Sequence, residues 1–146
     1  MTVSNEELAA MYREVGNVLQ YQGEGWYKVR SYLTFADALG DIDRPVAEMS
    51  DAEFKALPGV GKAIFSKTRD YQARGTFNLL DRVRTVPASI RAMLAAGLAP
   101  AAVRALEQEL SITSLDALRA AHAGGSLDLS ALPTRQRNTV RDFLQQ

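Results

Sequence analysis

The segment Leu57-Pro58-Gly59-Val60-Gly61-Lys62-Ala63-Ile64 most constrains what this chain can fold into. Ser50 followed by Glu53 is a capping signal that opens a short helix ahead of it, and Pro58 ends that helix. Two glycines within three residues supply a tight turn that residues with a Cβ make poorly. Lys62 starts a second helical pattern that runs to about Arg74 and stops at Gly75. The first N–H groups of that helix have no intrahelical partner, and the helix dipole adds positive charge there. With no side chain on either glycine, a phosphate can come close to those N–H groups. A site of this kind addresses a nucleic-acid backbone and no base edge, which predicts binding that ignores sequence. The same spacing also serves as a plain turn between helices.

Charge favours the phosphate reading. From Lys55 to Arg84 the bases are Lys55, Lys62, Lys67, Arg69, Arg74, Arg82 and Arg84, against only Asp70 and Asp81. The first fifty residues lean the other way, with Arg13, Lys28, Arg30 and Arg44 against eight acids. A net charge of zero therefore conceals a polarised molecule, and its positive segment carries the hairpin. A patch of Lys28, Lys55, Lys62, Lys67 and Arg69 making about four phosphate contacts predicts a logarithmic salt slope near −3 to −4.

Several function classes fall away. The chain has no cysteine, which excludes disulfides and thiolate metal sites, and its one histidine, His122, does not make a zinc site. His122 precedes Gly124-Gly125 at an expected helix end, where a solvated side chain is expected. The acidic amino-terminal residues lack the apolar run of a signal peptide. The longest apolar stretch, Ala92 to Val103, is broken by Gly97 and Pro100 and falls short of the ~20 residues of a membrane span. A cytoplasmic protein with no membrane partner is the expectation.

Nearly every segment reads as helix, so the expected fold class is all-α. Ser4 with Glu7 forms a capping box ahead of Leu8, Met11, Tyr12, Val15, Val18 and Leu19 at helical spacing. Trp26 to Leu39 is a second helix, ended by Gly40, with Trp26 expected as a core anchor. In the helix after the hairpin, Ile64, Thr68 and Tyr71 point to the core, while Lys67 and Arg74 share another face. A helix over roughly Phe77 to Arg84 follows, and Pro87 is placed at the first position of the next.

The pattern recurs. Ala96-Gly97-Leu98-Ala99-Pro100 lies 38 residues beyond the matching positions around Gly59. Leu132-Pro133-Thr134-Arg135-Gln136 lies a further 37 residues on and repeats Leu57-Pro58 without the glycines. The period predicts tandem helix-hairpin-helix modules, with coincidental helix connections as the alternative. The expected division is a helical segment 1–84 holding the intact motif at 57–74, then 85–146 with worn hairpins at 95–110 and 132–145. Gly97 and Ala99 are the candidate contacts of the second hairpin, with Ala99 hindering close phosphate approach. Thr134 reads as a helix N-cap.

Taken with Gly25-Trp26-Tyr27-Lys28-Val29-Arg30-Ser31-Tyr32 and Ile112-Thr113-Ser114-Leu115-Asp116-Ala117-Leu118, these motifs resemble the amino-terminal region of X-family DNA polymerases. The resemblance covers almost the whole chain, and the first hairpin is its most specific motif. It implies a lyase-like helical domain followed by a second helix-hairpin-helix domain, both gripping nicked or gapped double-stranded DNA through the backbone. It implies contacts at Gly59, Val60, Gly61, Lys62, Lys28, Tyr32 and Arg69. It also implies a monovalent cation, K+ or Na+, on the backbone carbonyls of Lys55, Leu57 and Val60; no other cofactor is expected. The aspartate triad of the family's polymerase palm is absent from this sequence, so nucleotide transfer is not expected of this polypeptide.

Lys67 stands six residues after Gly61, where the resemblance places a Schiff-base lysine for abasic-site lyase chemistry. The phosphate pocket around it departs from the family pattern. Lys28 and Tyr32 match, whereas Tyr27, Leu33, Thr34 and Ala63 replace a histidine and basic residues. The expectation is a sequence-independent DNA-binding protein acting at nicks, gaps or ends in repair. The alternatives are a lyase using Lys67 and a protein-interaction module that partners a separate repair polymerase or nuclease.

Overall fold

The computed structural model describes residues 2–146, and these form helices and turns with no strand among them. The elements are α1 (Asn5–Tyr21), α2 (Trp26–Leu39), a 3-10 turn (Val46–Glu48), α3 (Asp51–Lys55), α4 (Lys62–Arg74) and α5 (Asn78–Val83). Then come α6 (Ala88–Ala95), α7 (Pro100–Leu110), α8 (Leu115–Ala123), a 3-10 turn (Leu129–Ala131) and α9 (Thr134–Leu144). The fold is all-α, and the helix–turn–helix pairs α3–α4 and α6–α7 repeat in tandem.

The long helix α1 is the hub because its apolar stripe is the widest in the chain. Leu8, Met11, Tyr12, Val15 and Val18 are buried, and α1 packs against α2, α5, α6 and α7. Close approach of α2 depends on Gly16: a Cβ there would sit 2.6 Å from Leu33 Cδ2. Leu33 thus has a packing role at a position where the X-family pattern carries a basic residue. At the far end of α1 the Tyr21 hydroxyl donates to Glu107 of α7 at 2.8 Å, and Arg104 of α7 donates to the Tyr21 carbonyl. These links join the amino- and carboxy-terminal segments, and one buried cluster runs from Leu8 to Val140. The boundary at 84/85 therefore marks a turn between helices and does not separate two cores.

Helix starts and stops follow local signals, with three corrections. Ser50 and Glu53 make a complete capping box, but at Ser4 only the hydroxyl caps, accepting from Glu7 N–H at 3.1 Å. The Glu7 carboxylate turns to the Ser4 hydroxyl instead of the backbone. Pro87 is the N-cap of α6, one residue before its expected place. Thr134 is the first residue of α9, with Pro133 at the N-cap, so no side-chain cap forms there. α9 starts directly after Pro133, and the turn before it has no left-handed residue, so the stretch 132–145 lacks the glycine turn of the first hairpin. Gly75 ends α4 in the left-handed conformation, as expected of a C-terminal glycine.

Candidate nucleic-acid interface

A five-residue helix cannot hold itself together, so α3 is fixed from outside. Phe54 is buried, with ring centroids 6.2 Å from Phe35 and 5.7 Å from Phe65. Arg44 donates to Glu53 at 2.5 Å, and this pairing, helped by the Ser50 cap, holds the Glu53 carboxyl down at about 2. From α4, Arg69 reaches back to the same corner. Its guanidinium donates to Asp51 at 3.1 Å and to the Val46 and Met49 carbonyls at 3.3 and 2.8 Å. It also lies 4.9 Å from the Phe54 ring. The α4 face is anchored by Thr68, whose hydroxyl meets that of buried Tyr12 at 2.7 Å. Burial pushes the Tyr12 phenol well above its ordinary range, so it stays a neutral hydrogen-bonding group.

The turn so positioned has open donors. Gly59 is left-handed, at φ +83°, a conformation that favours glycine. Gly61 is not: at φ −88° and ψ −175° it is extended backbone that any residue adopts. Adjacent residues aside, nothing among the described residues lies within 4 Å of where a Cβ at either glycine would sit. The turn is closed by Val60 N–H donating to the Leu57 carbonyl at 3.2 Å, and the first bond of α4 runs from Phe65 N–H to the Gly61 carbonyl. Between them, the N–H groups of Gly61, Lys62, Ala63 and Ile64 donate to no acceptor among the described residues. Four consecutive open donors thus follow a turn whose two glycines carry no Cβ, and Lys62 among them is exposed.

The second hairpin keeps the turn and loses two of the four donors. Gly97 is left-handed, at φ +105°, matching Gly59. Ala99 is the N-cap of α7 and carries a methyl group, Pro100 has no N–H, and Ala102 N–H is taken by the Ala99 carbonyl at 2.9 Å. Leu98 is buried in the core, where its counterpart Val60 is only half-buried.

The other sequence-derived contacts divide. Lys62 is exposed, and Lys55 Nζ lies 4.5 Å from the Phe65 ring beside the turn. Lys67 Nζ sits 5.8 Å from the ring of Tyr32, which stacks on Tyr12 at 6.0 Å. Lys28 is exposed and pairs with Glu24 at 3.2 Å, which pushes its ammonium further toward the charged form. Two bases of the positive segment are engaged within the fold, Arg69 from the expected patch and Arg84 from outside it. Arg69 is tied into the α3 corner, and Arg84 pairs with Glu14 at 2.9 Å. Their charge holds helices together.

A groove of ≈ 750 Å³ is walled by Glu24 of the turn, by Tyr27, Lys28, Ser31 and Tyr32 of α2 and by Arg82 and Thr85 from the α5 end, and it shares Tyr32 with the surroundings of Lys67. Arg82 was visible in the sequence as one more base of the positive segment; only the packing of α5 on α1 brings it opposite Lys28. Trp26 corrects an expectation outright: it is 55% exposed, and Tyr27 is 77% exposed. Trp26 is the first residue of α2, next to the exposed turn 22–25, outside the buried stripe that begins at Val29. Among the described residues no three His, Cys, Asp or Glu side chains gather into a metal cluster, and no helix is long and apolar enough to cross a membrane.

An all-helical fold with an open two-glycine turn at a helix N-terminus is the architecture of a helix-hairpin-helix protein. The family model for a helix-hairpin-helix domain matches residues 3–77, just over half of the chain, and the chain belongs to that family. The match spans α1 to α4 and supports non-specific DNA binding in general. No curated protein matches the chain.

Proposed function

We propose that this chain binds double-stranded DNA through the sugar-phosphate backbone at gaps, nicks or ends, as a repair module. It would do so in the manner of the amino-terminal region of X-family polymerases. The observation that carries the reading is the first hairpin: four N–H groups without an internal acceptor, at two glycines whose Cβ positions meet open space. Conformation explains Gly59 but not Gly61; an approaching phosphate explains both. Exposed Trp26 and Tyr27 beside the Lys28–Arg82 groove favour DNA with unpaired bases, because an aromatic face stacks any base. Lys55 and Val60 carbonyls accept no backbone hydrogen bond, and Leu57 accepts one while keeping a second lone pair. Three hard oxygens at the end of α3 fit a K+ or Na+ ion, which would add positive charge under the bound phosphate. A titration of intact, nicked and gapped duplexes at two salt concentrations tests the reading. Tighter binding to the gapped duplex and a salt slope near −3 to −4 are expected for about four phosphates neutralised. Strong preference among duplexes of equal structure but different sequence overturns it.

A second reading rests on Lys67. Its amine could attack the aldehyde carbon of an abasic deoxyribose, lose water to form an imine, and promote elimination that breaks the C3′–O bond. The Tyr32 ring beside Nζ and the adjoining groove support it. It stands second because Ala63, Thr34 and the packed Leu33 provide no cation to seat the sugar's phosphate. Lys67-dependent borohydride trapping of an abasic duplex would move it to first place.

A further inference from the structure

We infer that the facing sides of α8 and α9 form a second contact for the DNA backbone, in which arginine side chains take the place of the N–H donors that the second hairpin lacks. The inference rests on the DNA-binding reading above. Arg119 and His122 lie one turn apart on α8, and Arg137 and Arg141 one turn apart on α9. His122, Arg137 and Arg141 line one depression of ≈ 380 Å³. Arg119 and His122 line another of ≈ 340 Å³ together with Ala96, the residue immediately before Gly97. His122 and Leu144 border both, so the two lie side by side, the second of them next to the second hairpin.

Arg119 and Arg141 are exposed and donate to no group among the described residues, whereas half-buried Arg137 donates to the Leu132 carbonyl at 3.1 Å and helps to hold the Asp128 carboxyl down. Arg13, Arg44, Arg69 and Arg84 each pair with a carboxylate, whereas no carboxylate lies within 4.0 Å of Arg119, Arg135, Arg137 or Arg141 among the described residues. Asp128 is the acid lining these depressions, and its carboxylate accepts from the Ser130 N–H and hydroxyl at 3.0 and 2.6 Å. Asp116 and Asp142 lie on the same helices but line neither depression. Guanidinium groups present forked donors that match phosphate oxygens, and rows on two helices suit successive phosphates of one strand. The second hairpin supplies the turn and α8–α9 the charge.

The test is the salt dependence of binding to a gapped duplex for the full chain, for Arg119→Gln/Arg141→Gln, and for Arg13→Gln as a single charge removed elsewhere. Arg119 and Arg141 are exposed, so the double variant retains its helical circular dichroism. Its slope is expected to be shallower than wild type by about 1.8, or ~0.9 for each phosphate left without its arginine, with Arg13→Gln close to wild type. A double variant whose slope equals that of Arg13→Gln overturns this inference while the first-hairpin reading stands. A wild-type chain that binds no duplex overturns both.

Discussion

Replacing Gly61 by valine separates folding from binding. In the folded chain Gly61 is extended, at φ −88° and ψ −175°, and, adjacent residues aside, no described atom lies within 4 Å of the new Cβ. The backbone is therefore unstrained by a side chain, and its Cβ meets open space. Losing glycine restricts the unfolded chain, a gain of about 0.4–1 kcal/mol. Losing a favoured N-cap residue costs a comparable amount, so the two nearly cancel and stability should stay within ~1 kcal/mol of wild type. For a domain of this size that is a melting shift of about 2–4 °C at most. Binding is another matter. The isopropyl group would stand where a phosphate approaches the N–H groups of Gly61 to Ile64, which have no other acceptor. Removing even one charge-assisted hydrogen bond costs about 1.5–3 kcal/mol, which is roughly ten- to hundredfold in Kd. Anisotropy with a labelled gapped duplex measures the loss, and a thermal melt confirms the fold. A folded Gly61→Val protein that binds within twofold of wild type would refute the phosphate-nest argument.

Gly16→Ala should behave in the opposite sense: the new Cβ overlaps Leu33 at 2.6 Å. Overpacking of this kind costs about 1–3 kcal/mol, partly offset by ~1 kcal/mol of helix propensity, and urea titration should show the net loss. Arg69→Met leaves the Val46 and Met49 carbonyls without their donor. A missing partner for a part-buried acceptor costs about 1–3 kcal/mol, so the melting temperature falls while the salt slope of DNA binding stays as in wild type. A slope made shallower by about 0.9, the value of one phosphate, would return Arg69 to the interface. Glu53 gives the acid limb of stability. Its folded value of about 2 lies below that of a free carboxyl, so its contribution is complete above the unfolded value of 4.5 and is lost as pH falls from there toward 2. Glu53→Gln should flatten the melting temperature over that window, and an unchanged profile would count against the Arg44 and Ser50 contacts as its cause.

What the chain revealed before folding was its punctuation. Pro58, the hairpin glycines, Gly75 and the serine caps act through their own backbone or through neighbours within three residues, so a linear reading places them. What it concealed depends on residues far apart in the chain. Arg69 counts as one more base until Asp51 and the Val46 and Met49 carbonyls close around it. Trp26 reads as an anchor because most tryptophans bury area, yet the first turn of α2 falls outside the stripe that faces α1. Gly16 gives no local sign of its role, since the reason for it is Leu33 on another helix. The division into 1–84 and 85–146 follows composition and repeat spacing, but α1 packs against helices of both segments and merges their cores.

The two hairpins show how one turn can be put to different ends. Both use a left-handed glycine, so both reverse the chain in the same way. In the second, Leu98 is buried, Pro100 pre-sets the first turn of α7, and Ala102 N–H closes on Ala99. Each of these changes stabilises the folded chain, and the last two remove a donor from the helix start. In the first, Val60 is half-buried and α4 starts from glycine with no side-chain cap, leaving four donors whose only other recourse is water. A polar group without an internal partner must stay at the surface, because burying it costs more than one net hydrogen bond returns. The first hairpin is therefore held open by the same physics that makes it receptive to an anion. The rigidity needed to present it comes from residues tied into the fold behind it: Phe54, Arg69 and the Ser50–Glu53 box.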